Sequence, residues 1–516
     1  MTELSALQVK KMLGESVELA FIDVREHGQY TAGHPFFSVS IPFSVFEHKL
    51  PVLVPNPAVA LVLFDNNNGI AERAAEAAQQ LGYRNTYILE DGVEGWSHAG
   101  FKLFEGVNLP SKTFGEILEH QRNTPRISAT ELSERAAAGE NLIILDGRPY
   151  SEFQKMSIPG ATCCPNGELV YRYQTLVPDP KTTVVINCAG RTRSIVGAQT
   201  LIDLGVPNPV VALENGTQGW FLAGLQLNHG ATERYPEVID STGLEESGDR
   251  LAARLKSVGI SRLTGVEVSE WLADNSRTTY LCDVRTANEF ADNGIPGSVH
   301  TPGGQLVQST DSWIAVRNAR IILMDHENLR ASAVALWLYQ MGWQVAVANI
   351  EDCLAAGVET MCTVSDHITM PKSVTAAQVV DSGAVLMDLR SSAEFRNAHI
   401  LGARWAIRPE VKIDPTMDYV LIGAPDVVSL VARDIWQQTP DARIRWLDGD
   451  MDQWRADGVD FETTPGVPTD QSRIDFNFHT HDRHQGNAAA ARAYLAWETG
   501  LVEQIDDQES GLFRFI

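Results

Sequence analysis

The chain has 516 residues, enough for several domains at roughly 100–200 residues each. With 66 acidic against 41 basic side chains its formal net charge is −25, which excludes a general nucleic-acid or anionic-membrane surface and means that an anionic substrate must be drawn in by local charge. Six cysteines without framework spacing, no basic-then-apolar leader in Met1–Lys11, and no apolar run near ~18 residues point to a cytoplasmic protein with neither a disulfide scaffold nor a membrane span.

In chain order, one unit is repeated four times. Each copy opens on an apolar strand ending in Asp-x-Arg, at Phe21–Arg25, Ile144–Arg148, Leu281–Arg285 and Leu386–Arg390. The last three continue with an acidic-aromatic pair (Glu152-Phe153, Glu289-Phe290, Glu394-Phe395) and then a turn such as Ile158-Pro159-Gly160-Ala161. A second apolar strand follows at a fixed distance: 42 residues separate Asp23 from Asp65, Asp146 from Cys188 and Asp283 from Asp325. The fourth copy is shorter, with 35 residues from Asp388 to Gly423. Helical spacing then runs, in the first three copies, to Leu81-Gly82, Leu204-Gly205 and Met341-Gly342, where glycine suits a C-terminal cap. Three copies close on a Gly and a Trp (Gly92 and Trp96, Gly216 and Trp220, Gly449 and Trp454), and the third lacks both. Strands alternating with helices give βα units around a mainly parallel sheet. The units are placed at 1–105, 124–229, 261–362 and 372–463, with a short helix in the linker after the second and a tail over 464–516.

Cys188 carries the chemistry. It ends the apolar run Val184–Asn187 and opens the loop Ala189-Gly190-Arg191-Thr192-Arg193-Ser194 before a helix. A thiol at a strand-to-helix turn meets free backbone N–H groups and the positive end of the helix dipole, and two nearby arginines add charge that lowers a thiol pKa. The result suits a nucleophilic thiolate that takes a group from an anionic donor. A buried structural cysteine is the competing reading.

The Asp-x-Arg strands, the Ile158–Ala161 turn, the Cys188–Ser194 loop and the Gly216/Trp220 ending together resemble the rhodanese-like sulfurtransferase family, most fully in the second unit. The resemblance implies an α/β fold of four rhodanese-like three-layer units with a mainly parallel central sheet, plus a helical C-terminal tail. It also implies that Cys188 takes sulfane sulfur from a donor such as thiosulfate or 3-mercaptopyruvate, becomes a persulfide, and passes the sulfur to a thiol, cyanide or a protein cysteine. Ala189, Gly190, Arg191, Thr192 and Arg193 would form the cradle, with backbone N–H groups on the persulfide and the two arginines on the donor. Sulfite is a stable leaving group, so no general acid is needed, and two covalent half-reactions predict ping-pong kinetics. Phosphatases sharing this fold need Arg six positions after Cys. Here that residue is Ser194, so phosphate hydrolysis is the lesser alternative.

Asp65, Asp325 and Gly423 stand where the other units would need a thiol, so those units are expected to be inactive scaffolds, the first paired with the second and the third with the fourth. A non-catalytic repeat scaffold that binds partner proteins remains the alternative from another class. Cys163, Cys164 and Cys282 are expected in the core, His326 on a solvated loop, and Cys353 and Cys362 lack metal spacing. His479, His481 and His484 in the tail match no standard metal site, and Asn487 is expected to cap a helix through Tyr494, Trp497 and Leu501 that docks on a domain. Arg148 recurs in every unit, which assigns it to the fold rather than to the donor. No cofactor, metal, nucleic acid or membrane is expected, and homo-oligomerisation is left open.

Overall fold

Both central strands of the second repeat, Leu142–Asp146 and Thr183–Asn187, are continuous apolar runs rather than alternating ones, as strands covered on both faces must be. They pair in parallel register, with Asp146 opposite Asn187. The computed structural model describes residues 2–360, 369–380 and 383–516, so Cys362 lies outside it. In this repeat the strand order is Arg126–Ile127, Val210–Leu213, Thr183–Asn187, Leu142–Asp146, Ala161–Cys163. Val185 packs on one face with Leu132, Phe153 and Trp220. Its neighbours Val184 and Ile186 pack on the other with Leu169, Ala198 and Leu201, which is the two-residue period of a sheet sandwiched between helices.

The same order recurs in the other copies. The third runs Ser261–Leu263, Gln344–Asn349, Arg320–Asp325, Thr279–Asp283, Val299–His300, and the fourth Lys372–Val374, Arg443–Leu447, Asp418–Ile422, Val385–Asp388, Arg404–Trp405. In the first, Thr2–Leu4, Thr86–Leu89, Ala60–Phe64 and Leu19–Asp23 stand side by side, with Val39–Ser40 on the last. Each copy is therefore an α/β unit built on the same parallel strand order. In all four the Asp of Asp-x-Arg is fully buried and its carboxylate accepts from the Arg two residues on, as Asp146 does from Arg148 at 2.7 and 2.8 Å. Arg148 also donates to the Met156 carbonyl, which ties the strand end to the following turn.

The copies fall into two compact units, and the pairing differs from the one expected. One unit holds the second and third repeats with Thr480–Ile516, and the other holds most of the first repeat and the fourth. Within the former, the short helical turn at Asn166–Glu168 meets the Gly303–Gln308 helix. A Cβ on Gly167 would stand 2.6 Å from the Gly304 nitrogen, so only glycine allows the approach. Arg330 reaches Glu168 at 3.1 Å across the same joint. In the other unit the equivalent turn, Phe43–Val45, meets Arg408–Glu410. Arg408 there donates to the Phe43 carbonyl and to both oxygens of Glu47 at 2.6–2.8 Å.

The stretch after the second repeat holds a 14-residue helix, Leu244–Ser257, longer than the short one expected. It is part of the fold: Leu251 and Leu255 are buried, and Arg250 and Arg254 donate to the carbonyls of Asp203, Leu204 and Gly205 that end the Thr192–Leu204 helix. Cations at a helix C-terminus oppose its dipole favourably. No helix among the described residues is long and apolar enough to cross a membrane.

Candidate active site

Cys188 directly follows the Thr183–Asn187 strand, and the Thr192–Leu204 helix begins four residues later. Two side chains fix the strand end: Asn187 donates to Asp146 at 2.7 Å, and the Ser194 hydroxyl donates to Cys188 Sγ at 3.1 Å. From across the sheet end, Thr217 N–H donates to the Cys188 carbonyl at 2.8 Å and Gln218 N–H to the Ala189 carbonyl at 3.1 Å. Gly216 makes this possible, because it has φ +54° and any Cβ there would collide with the Cys188 carbonyl. Gly92 stands in the same way against Asp65, so the Gly of the closing motif braces the loop that follows the second strand. Cys188 itself is 2% exposed.

The copies without a thiol show what this loop holds. Asp65 accepts backbone N–H bonds from Asn67, Ile70 and Ala71 at 2.8–2.9 Å, and Asp325 from Leu329, Arg330 and Ala331 at 2.8–3.3 Å. In both repeats the donors include the residues five and six positions on, which from Cys188 are Arg193 and Ser194. The loop is thus an anion cradle at a helix start, filled by the chain's own carboxylate in two copies. Burial pushes the Asp325 carboxyl up to about 6. His326 beside it is half-buried against Arg285 rather than solvated.

Both loop arginines already have partners. Arg191 donates to Glu116 at 2.7 Å, to Glu119 and to Asn215, and Arg193 forms a two-pronged pair with Glu152 at 2.8 and 2.9 Å. The third repeat has the same pair, with Arg330 on Glu289 at 2.7 and 2.9 Å, although it has no thiol. Burial opposes ionisation of Glu152, yet the charge of Arg193 outweighs it and holds the carboxyl below its ordinary range.

The tail packs on the loop. Asn487 caps the Ala488–Thr499 helix through its side chain, and Tyr494, Glu498 and Leu501 are buried. Glu498, 1% exposed, accepts from Thr192 at 2.9 Å and from the buried Lys112 at 3.0 Å, and Lys112 also reaches Tyr494. A Cβ on Gly190 would lie 2.9 Å from Glu498 and 3.1 Å from Tyr494, so the loop glycine makes room for the tail. His484 lines the same region; burial, with the charges of Arg483 and Arg148, pushes it down to about 4.

A family model described as a rhodanese-like domain matches residues 5–99, 128–223 and 266–354, more than half of the chain. The chain belongs to the rhodanese-like family. The crystal structure of a thiosulfate sulfurtransferase from Pseudomonas aeruginosa superposes with a TM-score of 0.91 at 36% identity, covering 100% of this chain and 99% of that one. Shorter matches reach an HTH-type transcriptional regulator of Mycobacterium tuberculosis, 34% identical over 20% of this chain and 45% of that protein, and a tRNA uridine(34) hydroxylase of Erwinia tasmaniensis, 30% identical over 27% and 39%. The chain spans less than half the length of these two curated relatives.

Of the residues singled out in the sequence, this rhodanese-like loop brings Cys188 and residues 189–193 together at one strand end. Glu116, Glu119, Lys112 and Glu498 escaped notice as its partners because each is far away in sequence and in no motif, and Glu152 stood out only as half of the recurring acidic-aromatic pair. Cys163 and Cys164 are fully buried and burial raises both thiols, the first to about 12. Cys282 is likewise core, and burial pushes it up to about 12. Among the described residues no group of three or more His, Cys, Asp or Glu side chains is arranged to hold a metal, the tail histidines included.

Proposed function

We propose that the protein is a sulfurtransferase that moves sulfane sulfur from an anionic donor such as thiosulfate, through a persulfide on Cys188, to a thiophilic acceptor. The observation that carries this reading is the pair of carboxylates at Asp65 and Asp325, each held by N–H groups of the loop that in the second repeat surrounds a thiol instead. A cradle that takes a carboxylate in two copies suits a thiolate or persulfide in the third. The full-length likeness to a thiosulfate sulfurtransferase supports the same chemistry. The five described cysteines are free thiols, which supports a reducing, cytoplasmic setting.

In this reading the Cys188 thiolate attacks the outer sulfur of the donor, the donor's S–S bond breaks, and sulfite leaves with the electron pair. The N–H groups of residues 189–194 hold the persulfide. Arg191 and Arg193 meet the donor while paired with Glu116, Glu119 and Glu152, so they contribute less charge than two free guanidinium groups. Their main effect is then to fix the loop and favour a dianionic donor over a neutral one. The first, third and fourth repeats, without a thiol, are structural.

Incubation of the full chain with thiosulfate tests this. Intact mass should rise by one sulfur atom, the gain should vanish with cyanide, and Cys188→Ser should show none. The burial of Cys188 is the observation that favours a non-catalytic scaffold, and failure to form an adduct with thiosulfate, 3-mercaptopyruvate or inorganic polysulfide would decide for that reading.

A further inference from the structure

Beside the Cys188 loop lies an open cleft of about 480 Å³. Its walls are the Gly216–Leu222 helix, the following segment through His229, and the tail turn Arg483–Gly486. That volume falls within the range of about 300–1,000 Å³ usual for organic ligands and far exceeds what a sulfite- or thiosulfate-sized anion fills. The cleft adjoins the loop through Thr217 and Gln218, which line it and whose N–H groups donate to the Cys188 and Ala189 carbonyls.

The wall contains polar groups in want of partners. Gln218 is 2% exposed, yet neither its amide nitrogen nor its amide oxygen has a hydrogen-bond partner. A buried amide left open at both ends is costly, and native proteins rarely tolerate one without a reason. Its nitrogen lies 3.5 Å from where a Cβ on Gly190 would stand, between the loop and the cleft. Arg483 lies over the Tyr494 ring at 4.4 Å and donates Nη1 to the Thr480 carbonyl, while its buried Nε has no partner. Phe221, Leu225, Leu227 and Met156 supply an apolar floor.

One donor and one acceptor on Gln218 complement the C=O and N–H of a peptide group. The guanidinium of Arg483 complements a carboxylate, which a protein of net charge −25 would otherwise repel. We propose that this cleft binds the sulfur acceptor, a short cysteinyl peptide with a free carboxylate, with Gln218 on its amide and Arg483 on its carboxylate. The proposal rests on the sulfurtransferase reading and names its second substrate. The bound peptide's thiolate attacks the outer sulfur of the Cys188 persulfide. A new S–S bond forms on the peptide, the Cys188 S–S bond breaks, and Cys188 leaves as thiolate while the proton stays on the transferred sulfur. No external oxidant or reductant is consumed.

Glutathione is the probe, with 2-mercaptoethanol as a thiol that has neither amide nor carboxylate. In full-chain protein preloaded with thiosulfate, the ratio of kcat/KM for glutathione to that for 2-mercaptoethanol should fall about tenfold in Gln218→Leu and again in Arg483→Ala, as expected for one or two lost hydrogen bonds each. The thermal midpoint of Gln218→Leu should not fall, because the amide has no partner to lose. Calorimetry with the unreactive S-methylglutathione separates the two levels of the argument. Binding to the wild type that is lost in Gln218→Leu supports the cleft even if no persulfide forms, in which case the transfer reading alone falls. No binding to the wild type, or a selectivity ratio unmoved in both variants, overturns the assignment.

Discussion

Asp65 and Cys188 occupy the same place in two copies of one loop, and the difference between them is a carboxylate on the loop's N–H groups against a thiol. Asp65, 3% exposed, accepts from three backbone N–H groups of its loop, of which that of Ala71 is buried. Asp65→Ala should therefore cost about 2–3 kcal/mol, and Asp65→Asn, which keeps one acceptor oxygen, distinctly less. Urea unfolding of the two variants checks this, and equal losses would mean that the carboxylate does not hold the loop. Much at this scale was legible in the sequence. Cys188, the Asp-x-Arg pairs and the brace at Gly216 all lie inside short motifs whose local geometry dictates the residue. Gln218 lies inside such a motif too, but its significance depends on an unpaired amide, which no spacing reveals.

The tail helix is the element that links fold to reactivity. It is held at its start by the Asn487 side chain, which accepts from Ala489 and Ala490, and farther along by Glu498 on Lys112 and Thr192. Since Cys188 is 2% exposed, a reagent can reach it only when something local opens, and the helix against Gly190 is the candidate. Loss of the cap in Asn487→Ala should cost about 1 kcal/mol of helix stability and, if opening of the tail admits the reagent, raise the rate of Cys188 alkylation by iodoacetamide about fivefold. An unchanged rate would assign the gate to the loop itself. The helix and its cap were readable from Asn487 and the apolar spacing beyond it. Where it docks was not, because the Glu498–Lys112 contact joins residues 386 positions apart.

At the scale of the molecule, the fourfold repeat was plain from spacing, whereas the pairing of the copies was not. Adjacent copies along the chain suggested first with second. The joints are made instead by features outside the repeat motif: glycines at 167, 303 and 304 in one unit, and Arg408 on Glu47 in the other. Burial alone would raise the Glu47 carboxyl, but hydrogen bonds and charge from Arg408 and Arg433 bring it down to about 2. A carboxyl depressed in the folded state contributes stability that is complete above its ordinary value near 4.5 and is lost as the pH falls towards 2. The contribution is about 3 kcal/mol at 1.36 kcal/mol per pH unit. Glu47→Gln should consequently destabilise the unit of the first and fourth repeats strongly at pH 7 and little near pH 2. A difference between variant and wild type that persists undiminished in acid would contradict the assignment.

Two loops carry their own counter-charge in Asp65 and Asp325, whereas the one at Cys188 presents a thiol to the same N–H positions. Folding of the second repeat should thus be linked to whatever anion is in solution: thiosulfate or sulfate at millimolar concentration should raise its melting temperature, in proportion to the logarithm of concentration once the site is saturated. Cys188→Asp should supply the missing charge from within, melt higher than the wild type, and no longer respond to added anion.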